Sequence, residues 1–176
     1  MLNYFELFGL KTDFSIDLAQ LSNVFQQLQK TAHPDKFAHA SSQEQLLAVQ
    51  KSATINDAYQ TLKDPLKRAE YILKMRGTDM PSEQASFQDN AFLMQQMELR
   101  EMLADVKMAD DVDAALLEVS TVLDSEYQQL FTQLQQLLND DTEQSNQQAS
   151  DILRKLKFYQ KLQLEVDRLE EQLFDD

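Results

Sequence analysis

Two glycines and three prolines in 176 residues constrain this fold more than any single motif. A multi-stranded sheet needs many tight turns, and the favoured hairpin turns require backbone conformations that glycine supplies. Long segments between these few breakers place apolar residues at steps of three and four, the period of a helix with one buried face. An all-α fold is therefore expected. The chain has no cysteine, which excludes disulfides, thiolate metal sites and cysteine nucleophiles. Its only histidines, His33 and His39, lie six positions apart with no second ligand pair nearby, so neither a zinc site nor any other cofactor is expected.

With 43% hydrophobic and 26% charged residues, a chain of this length can bury one sizeable core or two small ones. The opening "MLNYFELFGL" lacks the basic start and unbroken apolar run of a secretory signal, and no apolar stretch reaches the roughly 18 residues of a membrane span. A cytoplasmic location and a monomeric state are the expectations. The net charge of −14 is unevenly spread. Residues 1–77 hold nine Lys/Arg against eight Asp/Glu, a net of +1, whereas residues 78–176 hold seven against twenty-two, a net of −15. The step falls beside "RGTDMPSEQAS", rich in turn formers, and divides the chain into domains 1–77 and 87–176 with a linker at 78–86. So acidic a whole disfavours nucleic acid and anionic membranes as partners, since both repel negative charge.

In the first domain, Asn3 can cap a short helix carrying Tyr4, Phe5, Leu7 and Phe8, which Gly9 ends. Asp17 begins a second helix, with Gln20 at capping-box spacing, Ile16 and Leu21 placed as a staple, and a stripe of Leu18, Leu21, Phe25, Leu28 and Ala32. Pro34 must stop it, because proline has no amide hydrogen and disfavours helix in the residue before it. A third helix starts from Ser41 and Glu44 and runs through Ala48, Ile55, Ala58, Tyr59 and Leu62. Asp64 and Pro65 then cap and open a fourth, "LKRAEYILKMR", closed by Gly77. Helices two and three, each about twenty residues long, should form an antiparallel hairpin with "HPD" at its tip.

A histidine and an aspartate held on such a tip are available to a partner. Read locally, Pro34 is a helix stop and Asp35 a cap for nearby backbone amides. A catalytic reading fares worse, because no nucleophile motif or glycine-rich oxyanion turn accompanies the pair. The motif's order and spacing resemble the J-domain family, in which a His-Pro-Asp loop joins two long antiparallel helices. "HPDKF" follows helix two, "INDAYQTL" lies in helix three, and "KDPLKRAEY" opens helix four, so the resemblance covers about the first 75 residues. It implies stimulation of ATP hydrolysis by a DnaK-type chaperone through His33, Pro34 and Asp35, with Lys30 and Lys36 beside them; the chain itself is not an enzyme. Family members usually carry tyrosine before the histidine and several cations on helix two. Here Ala32, Gln26, Gln27 and Gln29 stand in those places, which points to a specialised chaperone partner.

The second domain reads as a three-helix bundle over about 87–108, 112–138 and 147–174. The middle helix aligns Val112, Leu116, Val119, Leu123, Leu130, Leu134 and Leu137; the last aligns Ile152, Tyr159, Leu162, Val166, Leu169 and Leu173. The first helix is different. At 100° per residue, Phe92, Leu99, Leu103 and Val106 cluster within about 60°, while Leu93, Met94 and Met97 fall well away from them. This second apolar face, beside Glu98, Arg100 and Glu101, suits either an adaptable protein-binding patch with a polar rim or packing against another helix.

"ATINDAYQTLKDPLKRAEYIL", "AFLMQQMELRE" and "RKLKFYQKL" extend the resemblance over nearly the whole chain, to the J-proteins of iron-sulfur cluster assembly. That resemblance implies a co-chaperone whose bundle binds an IscU-like scaffold and delivers it to an HscA-like chaperone. The scaffold-binding residues it implies are Leu93, Met94, Met97 and Phe158, with Glu98, Arg100 and Glu101 as rim. The competing expectation is a helical adaptor whose J-like domain is inactive.

Overall fold

The computed structural model describes residues 2–82 and 85–175. Positions 83 and 84 of the expected linker, and the two terminal residues, lie outside the described residues. Every regular element described is a helix, and the chain divides into two compact units, Met1–Gly77 and Thr78–Asp176.

The first unit holds α1 (Tyr4–Leu7), α2 (Leu18–Ala32), α3 (Ser42–Lys63) and α4 (Pro65–Met75). Each start is fixed by a short polar side chain that satisfies amides the helix itself leaves unpaired. Asn3 makes a reciprocal capping box with Glu6, Asp17 accepts from Ala19 and Gln20, Ser41 from Glu44, and Asp64 from Leu66 and Lys67. Gly9 and Gly77 follow α1 and α4 with φ of 66° and 84°, the left-handed conformation a side chain would resist. Helix α2 runs for 15 residues between the cap at Asp17 and the stop at Pro34, and α3 for 22, so the expected length of about twenty fits α3 and is too long for α2, whose bounds leave room for only 15.

Phe25 stacks on Tyr59 at 4.0 Å, and seven residues closer to the loop Ser52 donates to the Gln29 side chain at 2.9 Å. The opposed numbering of these contacts makes α2 and α3 antiparallel. Phe5, Leu21, Ile55, Ala58 and Leu62 fill the space between helices, while Leu18 turns out to solvent instead of joining the stripe. Arg68 is buried. It donates to the carbonyls of Phe14 and Leu62, both at 2.7 Å, and lies over the Phe14 ring. One side chain thus satisfies a last-turn carbonyl of α3 and ties it to the loop before α2. Burial lowers its pKa, with nearby Asp64 opposing that shift.

The second unit holds α5 (Asn90–Asp105), α6 (Val112–Leu138) and α7 (Glu143–Phe174). A tight turn of 3-10 helix over Val106–Met108 follows α5. Its main core gathers Phe92, Leu99, Leu116, Val119, Leu123, Tyr159, Leu162 and Val166, so one stripe of each helix meets the other two. Helix α7 begins at residue 143, four earlier than its apolar pattern suggests. Thr142 caps Ser145, and buried Asn146 donates to Asp141 at 2.9 Å, so the polar first turn "EQSN" is held by hydrogen bonds where apolar contacts are missing. Near this end Leu138, Leu153 and Leu156 are buried, in place of the expected Leu137 and Ile152. On α6 a straight helix drifts by about 20° per heptad against a seven-residue repeat, and over the three heptads from Leu116 this favours Leu138 over Leu137.

Candidate functional site

The His-Pro-Asp tip is built by its own backbone. Residues 34–37 form one turn of 3-10 helix, with Pro34 at the first position and His33 as the cap. The Asp35 amide donates to His33 Nδ1 at 3.2 Å, which requires the His33 proton on Nε2, and Lys36 N–H donates to the His33 carbonyl at 3.1 Å. The histidine ring, and not Asp35, is therefore the local cap. Its carboxylate lies 3.5 Å from Nδ1 and accepts no backbone amide among the described residues. The two side chains are 54% and 93% exposed, and Lys30 and Lys36 are exposed as well. A shallow depression lined by His33, Pro34, Gln29 and Asn56 adjoins them.

The other candidate surface starts at Asp89. Its carboxylate caps α5 through the Phe92 amide and pairs with Lys155 of α7 at 2.8 Å. These hydrogen bonds, led by that from Lys155, hold the carboxyl below its usual pKa. With α5 pinned in rotation, Phe92 and Leu99 go into the core, and Leu93, Met94 and Met97 remain 37%, 64% and 66% exposed. Glu98, Arg100 and Glu101 are exposed on the same helix.

Phe158 is half-buried. Its ring meets Phe92 edge-on at 5.6 Å and Tyr159 at 5.4 Å. Arg100 lies 5.6 Å over that ring and pairs with Glu165 at 3.3 Å. The structure thus brings Leu93, Arg100 and Phe158 to one groove, with a volume of about 410 Å³, while Met94 and Met97 stand outside it.

Three cations of that groove, Arg154, Lys157 and Lys161, were not singled out in the sequence, although their spacing along a helix is a readable signal. Arg154 donates to the Ala85 carbonyl and covers the Phe87 ring at 4.1 Å. No three His, Asp or Glu side chains converge among the described residues. No described helix is long and apolar enough to cross a membrane.

Comparison with known proteins accounts for both units. Residues 3–71 match the DnaJ domain, and residues 88–167 match the HSCB C-terminal oligomerisation domain. The chain is 64% identical to the co-chaperone protein HscB homolog of Colwellia psychrerythraea over 175 residues, covering 99% of this chain and all of that one. Among solved structures, the chaperone HscB from Vibrio cholerae superposes with a TM-score of 0.89 at 48% identity, over 98% of this chain and all of that one. The human co-chaperone protein HscB gives 0.87 at 28% identity, over 97% of this chain and 83% of that one.

Proposed function

We infer the function from one premise: the chain belongs to the HscB co-chaperone family. It is a co-chaperone of iron-sulfur cluster assembly, built from a J-domain and an HscB-type carboxyl-terminal domain, and the family works with a scaffold of the IscU kind and a chaperone of the HscA kind. In our reading, the His33-Pro34-Asp35 tip engages that chaperone and stimulates its ATP hydrolysis. The α5 ridge of Leu93, Met94 and Met97, with Phe158 and the rim of Glu98, Arg100 and Glu101, carries the scaffold to it. ATP is hydrolysed in the partner's active site.

The observation that supports this best is the carboxylate of Asp35, 93% exposed at the apex of a hairpin. It has no capping duty there, since His33 holds the turn. An exposed carboxylate on a turn fixed by its neighbour suits a charge-assisted hydrogen bond to a basic group on the chaperone, worth about 1.5–3 kcal/mol. Lys30 and Lys36 flank it and would steer the encounter more than hold the complex.

The test is Asp35→Asn, assayed by steady-state ATP turnover of the cognate chaperone with and without scaffold. Stimulation should fall roughly tenfold or more, from the loss of that hydrogen bond, with thermal stability and scaffold capture unchanged. Leu93→Ala with Met97→Ala should do the reverse, weakening capture while sparing stimulation in the absence of scaffold. Unchanged stimulation by Asp35→Asn would favour an adaptor whose tip is only a helix stop.

A further inference from the structure

The second unit is strongly acidic, yet its few cations are gathered. Four of the seven Lys/Arg in residues 78–176, Arg100, Arg154, Lys157 and Lys161, line the single groove beside the α5 ridge. No carboxylate belongs to that lining among the described residues. On α7, Arg154, Lys157, Phe158 and Lys161 follow one another at i, i+3, i+4 and i+7, so three cations and an aromatic ring share one face. Like charges held together repel one another. Pairing inside the chain offsets part of this: Arg100 meets Glu165, and Arg154 meets the Ala85 carbonyl and the Phe87 ring. Both lysines also hold interactions within the chain, so an incoming anion would exchange partners there.

We propose that this groove receives an acidic segment of the scaffold protein, with one bulky apolar side chain seated against Leu93 and Phe158 and its carboxylates facing Arg154, Lys157 and Lys161. The inference rests on reading the α5 ridge as the scaffold surface, and continuity supports it, because Leu93, Arg100 and Phe158 belong to both ridge and groove. At about 410 Å³ the groove falls in the size range of small-ligand clefts, room enough for one bulky side chain. Charge complementarity names the occupant. A neutral or basic segment would draw nothing from these cations, while an acidic one can exchange with their present partners and turn the wall into a source of steering and register. The ridge would supply apolar contact, and the groove would select which scaffold segment lies beside it.

The experiment follows capture of the full-length chain by immobilised scaffold, at low and high salt, for the native protein, Lys157→Glu with Lys161→Glu, and Leu93→Ala with Met97→Ala. The double charge reversal should slow association roughly tenfold at low salt and flatten its salt dependence, since steering charges act mainly on the encounter rate. If its helicity drops, Lys157→Gln with Lys161→Gln replaces it, with a smaller change in the same direction. Association rates and salt dependence equal to the native protein's, alongside weakened capture by the Leu93/Met97 variant, would overturn the groove and leave the ridge standing. Failure of the native chain to bind scaffold at all would instead overturn the reading beneath it. Sedimentation of the same samples covers the other occupant: a native dimer that charge reversal dissociates, with capture intact, would assign the groove to a second copy of this chain and overturn the proposal.

Discussion

Arg68 and Asp35 show how differently two charged side chains can serve one domain. Asp35 projects into solvent, whereas Arg68 is buried with both of its bonds made to backbone carbonyls. Nothing in the residue types distinguishes them: "KRAEY" reads as an ordinary first turn, and only the approach of the loop carrying Phe14 turns Arg68 inward. Replacing it by methionine keeps much of the stem but leaves the Phe14 and Leu62 carbonyls without their donor. A buried acceptor left unpaired costs about 1–3 kcal/mol, so Arg68→Met should destabilise the first unit by about 2 kcal/mol or more in denaturant unfolding. A midpoint within error of the native protein would mean that water replaces the guanidinium. The tip contains a similar reversal. By residue type Asp35 is the expected local cap, but the imidazole of His33 takes that place, which leaves the carboxylate outward.

At the scale of the helix, α5 is decided by its rotation. A turn of the helix by one position would bury Leu93 and expose Phe92, and the pin against this is Asp89, bonded to both the Phe92 amide and Lys155. Asp89→Asn separates its two roles, because asparagine caps a helix about as well as aspartate but cannot form the ion pair. The carboxyl's folded pKa lies below its ordinary value of 3.8. Its stabilising contribution is therefore complete above that ordinary value, and it is lost as the pH falls through the lower folded value. The native protein should melt at a higher temperature than Asp89→Asn from neutral pH down to about pH 4, and the gap should close in stronger acid. A gap that persists unchanged in strong acid would rule out the ion pair as its cause.

Across the whole molecule, charge divides unequally, +1 in residues 1–77 and −15 in residues 78–176. Self-repulsion of this size destabilises a compact unit, and salt screens it. Raising the salt from about 0.02 M to about 0.5 M should raise the melting transition of the second unit while moving that of the first much less. Leu153→Ala identifies which calorimetric transition belongs to the second unit, since truncating a fully buried leucine costs about 2–5 kcal/mol. A second-unit midpoint that does not rise with salt would show that local pairs such as Arg100–Glu165 already balance the repulsion.

What the sequence determined by itself was whatever depends on neighbours along the chain. Helix starts follow from capping residues within three positions of the amides they satisfy, the α2 stop follows from Pro34, and the separation of Phe92 and Leu99 from Leu93 and Met97 follows from the helical period. The tertiary structure alone decided what needs distant residues to meet. Arg68 finds the Phe14 carbonyl 54 positions away, Asp89 finds Lys155 across 66, and Arg100 joins three cations of α7 in one groove. Such contacts carry no local period, so no pattern along the chain could announce them.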